Sequence, residues 1–220
     1  MKNLIIIDGN SIVNRAYYGV RPLSTKTGIP TNAIYGFMNI MLKYIDEYKP
    51  EYLCVAFDLK APTFRHKMYD AYKAQRKGMP DDLAEQMPHL KEILSAMNIL
   101  QLSLEGYEAD DIIGTVSRIC DEKGLRCNIV TGDKDDLQLA SSNTCVLLTT
   151  TRMGQTTTEA LDDKGVFEKY GVTPEEFIAV KALMGDSSDN IPGVKGIGEK
   201  TAFDLLGHFH SLDNIYNQIE

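Results

Sequence analysis

Nine carboxylates stand apart from the other acids of the chain: Asp8, Asp58, Glu108, Asp110, Asp111, Asp133, Asp135, Asp186 and Asp189. Many are flanked by small or apolar residues, where an unpaired charge is costly if buried. Brought together, such acids repel, and their pKa values rise unless cations hold them ionised. Hard divalent cations with oxygen ligands are the natural solution. One Mg²⁺ keeps several of its waters, so nine acids are too many for it. Two ions about 3.5–4 Å apart, as in phosphoryl-transfer sites, fit the count better. Taken singly, an Asp after a strand is ordinarily a turn former or helix cap. Asp135 and Asp136 can cap a short helix at Leu137–Leu139, and Asp111 can be a solvated helix residue. The joint pattern is what those ordinary readings leave unexplained.

Cations gather elsewhere. Lys60–Lys77 holds six Lys/Arg and one Asp, and Phe64, Tyr69 and Tyr72 interleave with them. Aromatics that stack bases and cations that hold phosphates suit single-stranded nucleic acid. The alternatives are a solvated helix face for the charges and core packing for Tyr69 and Tyr72. Gly193-Val-Lys-Gly-Ile-Gly-Glu-Lys200 joins two predicted helices. Its glycines permit a tight turn and present N–H groups to a phosphate. It lacks the spacing and preceding strand of a nucleotide-binding loop. It suggests a hairpin gripping one duplex backbone without reading sequence, the alternative being a plain helix–helix turn. His208 and His210 have no third ligand nearby and are read as surface residues. The net charge of −8 argues against a nucleic-acid partner, but its distribution weakens that inference. With nine of the 31 acids on metal, the remaining 22 face 23 Lys and Arg.

These groups need elements to position them. Asn3–Ile7 reads as a buried strand ending at Asp8. Thr31 caps a helix through about Tyr48, and Pro50 breaks it. Tyr52–Phe57 is a second strand, ending at Asp58. Pro80 opens a helix through about Met97, kinked or restarted at Pro88. Ile99–Leu104 is a third strand, and Ala109–Lys123 a helix with Gly124 beyond its end. Cys127–Thr131 and Val146–Leu148 are the fourth and fifth strands. The alternation predicts an α/β fold with a mainly parallel central sheet flanked by helices. In such sheets function gathers beyond the carboxyl ends of the strands. Three strands end at or next to Asp8, Asp58 and Asp133, and a fourth leads to Glu108, Asp110 and Asp111. From about Val172 only helices are predicted: Thr173 to Met184, a loop Gly185–Gly198, then Glu199 to about Leu206. Two domains are expected, 1–172 and 173–220.

Composition removes other classes. Hydrophobic residues at 43% and charged residues at 25% are ordinary for a globular chain. No apolar run approaches the ~20 residues of a membrane span, and Leu4–Ile7 is too short for a signal-peptide core. The four cysteines, Cys54, Cys120, Cys127 and Cys145, show no C-x-x-C pairing and are read as buried free thiols in a reducing compartment. A soluble cytoplasmic protein is expected, and a monomer, since no long apolar segment is left over for an interface.

The chain resembles the 5′-nuclease domain at the N-terminus of bacterial DNA polymerase I, within the flap endonuclease family. The residues that carry the resemblance begin with Ile7-Asp-Gly-Asn10, Val55-Ala-Phe-Asp58, Pro62-Thr-Phe-Arg-His66 and Tyr72-Lys-Ala-Gln-Arg76. They continue with Gly106-Tyr-Glu-Ala-Asp-Asp111, Thr131-Gly-Asp-Lys-Asp135 and Gly185-Asp-Ser-Ser-Asp-Asn-Ile-Pro-Gly193. The resemblance implies a flap-nuclease (PIN-like) core and a C-terminal helix–hairpin–helix. It implies a tighter metal site of Asp8, Asp58, Glu108, Asp110 and Asp111, and a second of Asp133, Asp135, Asp186 and Asp189. Arg65, Tyr72, Lys73 and Arg76 match the base of the family's helical arch, here about 60–90, past which a single-stranded 5′ end is drawn, and are the catalytic candidates. Gly193, Lys195, Gly196, Gly198 and Lys200 match the duplex-binding hairpin, often with K⁺ at its carbonyls. Arg15 and Lys67 join them as candidate DNA contacts. Mg²⁺, two ions or more, is the expected cofactor, with Mn²⁺ a substitute. The expected substrate is DNA with a 5′ flap or 5′ end at a duplex junction. Similar domains continue past Glu220 and sit on polymerase modules, so the hairpin module is expected to be truncated. Two rivals remain. One is a non-catalytic DNA-binding module stabilised by metal. The other is a phosphatase with an Asp nucleophile, disfavoured because Asn10 stands where it needs a second acid.

Overall fold

Three consecutive isoleucines, Ile5, Ile6 and Ile7, are wholly enclosed in the computed structural model, which describes residues 2–152 and 155–219. A strand can bury successive residues only if both faces of its sheet are covered. The elements that do so are, in chain order, β1 (Asn3–Asp8), α1 (Gly9–Gly19), α2 (Asn32–Tyr48), β2 (Tyr52–Ala56), α3 (Phe64–Met68), α4 (Asp81–Ala96) and β3 (Leu100–Leu102). Next come α5 (Ala109–Lys123), β4 (Arg126–Thr131), a 3₁₀ helix (Lys134–Leu139), β5 (Thr144–Arg152), β6 (Gln155–Leu161) and α6 (Asp163–Tyr170). The chain continues with α7 (Pro174–Met184), two-residue strands β7 (Gly185–Asp186) and β8 (Ile191–Pro192), α8 (Glu199–Phe209) and α9 (Leu212–Tyr216).

The central sheet runs β3-β2-β1-β4-β5-β6. Every neighbouring pair is parallel except β5 and β6. Ile5 and Ile7 face one layer, with Ile12 and Val13 of α1, Phe37 and Met41 of α2, and Leu83, Leu90 and Leu94 of α4. Ile6 faces the other, with Ile113 of α5, Val180 and Leu183 of α7, and Ala202 and Leu206 of α8. The helical C-terminal segment therefore packs into the same core as one face of the sheet. The chain steps outward from β1 through β2 to β3 on one side and returns at β4 on the other. A crevice opens beyond the carboxyl ends of β1 and β4, the usual ligand position in such sheets.

Several elements differ from expectation. Residues 9–19 form α1, capped by Asp8, whose Oδ1 accepts the N–H of Ser11 at 3.0 Å. Gly9 is required there: a Cβ would lie 2.4 Å from the Phe57 ring and 2.7 Å from the Ala56 carbonyl. The helix α4 continues through Pro88. One lost hydrogen bond is outweighed there by Leu83, Leu90 and Leu94 buried along its length. Edge strand β3 is only three residues long, and β5 extends well beyond Val146–Leu148 because β6 pairs with it antiparallel as far as Arg152 and Gln155. No helix among the described residues is long and apolar enough to cross a membrane. All four cysteines are buried free thiols, as expected.

Candidate metal centre

Among the described residues, eight of the nine predicted acids line one cleft of about 210 Å³: Asp8, Asp58, Glu108, Asp110, Asp133, Asp135, Asp186 and Asp189. Each is delivered by an element end. Asp8 closes β1, and the Thr131 hydroxyl at the end of β4 donates to its Oδ2 at 3.1 Å. Asp58, past β2, accepts the Ala109 N–H at 2.7 Å and so caps α5. Glu108 and Asp110 stand at the start of α5, where the helix dipole favours negative charge. Asp133 caps the 3₁₀ helix through the Asp135 N–H. Asp186 ends β7, and Asp189 lies in the turn between β7 and β8.

The ninth acid is placed differently. Both oxygens of Asp111 are taken by the Arg65 guanidinium at 2.7 and 2.9 Å, and one also accepts the Glu108 N–H at 2.9 Å. Burial opposes ionisation of Asp111, but Arg65 outweighs it and holds the carboxyl below its usual range. Asp111 therefore braces the start of α5 beside the cleft.

The basic segment folds over the acids. Lys73 Nζ pairs with Glu108 at 2.8 Å, and Arg76 pairs with Asp189. Lys73 adopts left-handed backbone, φ 55°, and its N–H reaches the Asp189 carbonyl at 2.9 Å. Tyr72 is 5% exposed. Its hydroxyl lies 2.9 Å from Glu108 Oε2 and 3.1 Å from Asp189 Oδ2. Burial and then Glu108 push its pKa far up, so it stays a donor. A base-stacking role for Tyr72 is thereby corrected: the ring is enclosed. Tyr69 is exposed, as is Lys67. Gln75 donates to the Ser187 carbonyl and Asn190 to that of Ala71, both at 2.8 Å, tying this segment to the Asp186–Asp189 loop.

Arg15 is half-buried and donates to the Gly132 carbonyl at 3.0 Å, steadying the turn that carries Asp133. Lys195, Gly196 and Gly198 are exposed in the turn before α8, and Lys200 is exposed in the first turn of that helix. Gly193 is tied to the end of α7, for a Cβ on it would lie 2.3 Å from the Met184 backbone. His210 pairs with Glu176 at 3.0 Å, a surface contact.

Two site residues escaped the sequence reading. Lys181 bridges Asp135 and Asp186, 2.8 Å from each. It is the only charged residue between Glu176 and Asp186, and that isolation was the available signal. Asp136, weighed only as a helix cap, is 2% exposed beside Asp8 and Asp110. Residues i and i+3 eclipse in a 3₁₀ turn, which sets Asp136 on the side of Asp133.

The electrostatics suit a cation. Burial, then neighbouring acids, push Asp8 up to about 6 despite the Ser11 N–H. Burial, then Asp8, Asp133 and Asp58, push Asp110 up to about 7. Burial, then Asp110 and Asp8, push Asp136 well above the usual carboxylate range. Asp186 is the opposite case: burial is overcome by Lys181 and Ser188, and it falls to about 2. An all-carboxylate donor set, partly protonated for want of positive charge, fits hard divalent ions.

A family model described as 5′-3′ exonuclease, N-terminal resolvase-like domain, matches residues 3–171. A second, 5′-3′ exonuclease, C-terminal SAM fold, matches residues 172–220. The chain belongs to the 5′-3′ exonuclease family. It is 48% identical to DNA polymerase I of Caldicellulosiruptor bescii over 99% of its own length and 26% of that protein's. It thus spans about a quarter of the polymerase it matches. It is 42% identical to a 5′-3′ exonuclease of Aquifex aeolicus, covering all of this chain and 74% of that one. The fold is shared with a solved T5 5′-exonuclease that has zinc ions bound, with a TM-score of 0.76 at 24% identity over 99% of this chain and 79% of that one. The mainly parallel sheet with a helical C-terminal unit is thus the fold of this family.

Proposed function

We propose that this chain is a structure-specific 5′ nuclease, hydrolysing a DNA phosphodiester near a junction of single strand and duplex with two divalent ions. The observation that carries the reading is the convergence of eight carboxylates in one cleft with Lys73 and Arg76 at its wall. Membership of the 5′-3′ exonuclease family supports the same chemistry.

The residues divide the work. Asp8, Asp58, Glu108 and Asp110 would hold one ion, and Asp133, Asp135, Asp186 and Asp189 the second. Bound Mg²⁺, or Mn²⁺ in its place, supplies Lewis-acid polarisation of the phosphate, an activated water and a sink for charge on the leaving 3′-oxygen. Lys73 and Arg76, counter-ions of Glu108 and Asp189 here, would be free to turn toward the scissile phosphate once metal neutralised those acids. There they neutralise charge that grows in the transition state. Tyr72 and Arg65 position: one holds Glu108 and Asp189, the other fixes Asp111. Lys181 holds Asp135 and Asp186 together against their mutual repulsion.

The proposed division is a nuclease core at 1–172 and a duplex-holding unit at 173–220, supported by the junction of the two family models. Lys195, Lys200 and the hairpin glycines hold duplex phosphates, with K⁺ at the hairpin carbonyls, and Lys67 and Arg15 complete the DNA surface. The nuclease acts in the bacterial cytoplasm as a monomer, and its attachment to polymerase modules is supported by the match to DNA polymerase I. Incubation of 5′-labelled flap DNA in Mg²⁺, in chelator and in Ca²⁺ tests the reading. Cleavage near the junction in Mg²⁺ alone is expected; binding without cleavage in every condition favours the non-catalytic DNA-binding module.

A further inference from the structure

Asp136 has no ordinary reason to be where it is. Asp133, not Asp136, caps the 3₁₀ helix. The carboxyl of Asp136 is enclosed, and its Oδ2 is buried with no hydrogen-bond partner among the described residues. The neighbouring cations are committed elsewhere: Lys181 to Asp135 and Asp186, Lys73 to Glu108, and Arg15 to the Gly132 carbonyl. The Thr131 hydroxyl, which also lies beside Asp136, gives its proton to Asp8. Yet one oxygen each from Asp8, Asp110 and Asp136 all lie within 4.8 Å of one another. Ligand oxygens around one octahedral Mg²⁺ sit about 3 Å apart at neighbouring positions and about 4 Å at opposite ones. Side-chain adjustment over that difference would let these three carboxylates share a single ion.

We infer that Asp136 is a further metal ligand, a ninth carboxylate beside the eight of the cleft, closing the deep ion site from its buried side together with Asp8 and Asp110. The inference rests on the proposed metal centre and adds a ligand that neither the nine-acid pattern nor the cleft lining contains. A buried ligand offers little room for exchange with water. Lys181 already pairs with Asp135 and Asp186, whereas no ion pair among the described residues serves Asp8, Asp110 or Asp136, so the ion closed in by Asp136 is expected to bind first.

Mn²⁺ titration by calorimetry, without DNA, on wild type, Asp136→Asn, Asp136→Leu and Asp110→Asn tests this. Asp136→Asn is expected to weaken the first Mn²⁺ by about 10-fold or more. It should also shrink the rise in melting temperature on metal addition without lowering the melting temperature of the metal-free protein. A merely structural Asp136 predicts the opposite pattern, with a less stable metal-free protein and unchanged Mn²⁺ affinity. Should Asp136→Asn fold poorly, Asp136→Leu, apolar and similar in size, carries the same comparison. First-ion affinity unchanged in the Asp136 variants but lost in Asp110→Asn overturns the Asp136 assignment alone. Affinity unchanged in all variants overturns the metal centre with it.

Discussion

Asp8 shows what the fold does to a single carboxylate. It ends a buried strand and is almost wholly enclosed, so burial pushes it up to about 6, and Asp110 follows to about 7. The unfolded chain releases these protons near pH 4. Between about pH 4 and 7 the metal-free folded state therefore binds more protons than the unfolded one, and its stability falls as pH rises. For Asp8, a shift of about two units corresponds to about 3 kcal/mol. Metal-stripped protein should accordingly melt lower at about pH 7.5 than at about pH 5.5, and saturating Mg²⁺ should narrow the gap by displacing the same protons. Identical melting temperatures in stripped protein at the two pH values would contradict the clustering. Tyr72 offers a second test at this scale. Tyr72→Phe keeps the enclosed ring but removes the donor shared by Glu108 and Asp189. A loss of about 1–2 kcal/mol is expected by urea unfolding; no loss would mean that the hydroxyl is not holding the two acids.

At the scale of elements, β1, β2, β4, α5 and α7 were legible because each is an apolar run or helical stripe stopped by a chemically distinct residue. Asp8, Asp58, Gly124 and Thr173 are such stops. The segments that were not legible depend on partners distant in sequence. Gln155–Leu161 is rich in threonine and lacks alternation, and it becomes a strand only by pairing with β5. α1 begins Gly-Asn-Ser and owes its start to the Asp8 cap and to the space Gly9 leaves for Phe57. The site divides the same way. Six of the eight cleft acids were found from positions after strands and helix starts, and Asp186 and Asp189 from a glycine-rich loop. The diversion of Asp111 to Arg65 and the burial of Tyr72 and Asp136 are tertiary outcomes that no local pattern encodes. The α7–β8 connection can be tested directly. Gly185 has φ 73°, and a Cβ there would lie 2.3 Å from the Gly193 nitrogen. Gly185→Ala is expected to cost about 1–3 kcal/mol and to weaken duplex binding by displacing the hairpin. Wild-type stability and affinity would show that the crossing of these two glycines is dispensable.

Over the whole molecule, acids from both ends of the chain meet because the C-terminal helices share a core with the sheet. In the proposed function two basic regions do different work on one substrate. Contacts of Lys195 and Lys200 with duplex phosphates would be the same before and during cleavage. Lys195→Ala or Lys200→Ala should therefore weaken binding and lower the salt slope by roughly one unit per contact, with saturating single-turnover rates little changed. Lys73→Ala and Arg76→Ala should chiefly slow the saturating rate, and Arg76→Lys should not restore it, since an ammonium cannot reproduce a bidentate guanidinium contact. If the Lys73 and Arg76 variants lose only affinity, the arch base is a binding surface.

Asp110 offers the most direct measurement of whether the acid cleft is a metal-holding reaction centre. Wild type and Asp110→Asn would be compared on one 5′-flap substrate, first for affinity in Ca²⁺, then for single-turnover cleavage at saturation in Mg²⁺. The predicted result is near-equal affinity with cleavage slowed by about 10²-fold or more, because the bound ions stabilise charge that develops mainly in the transition state. Cleavage by Asp110→Asn at the wild-type rate would contradict the assignment of the cleft.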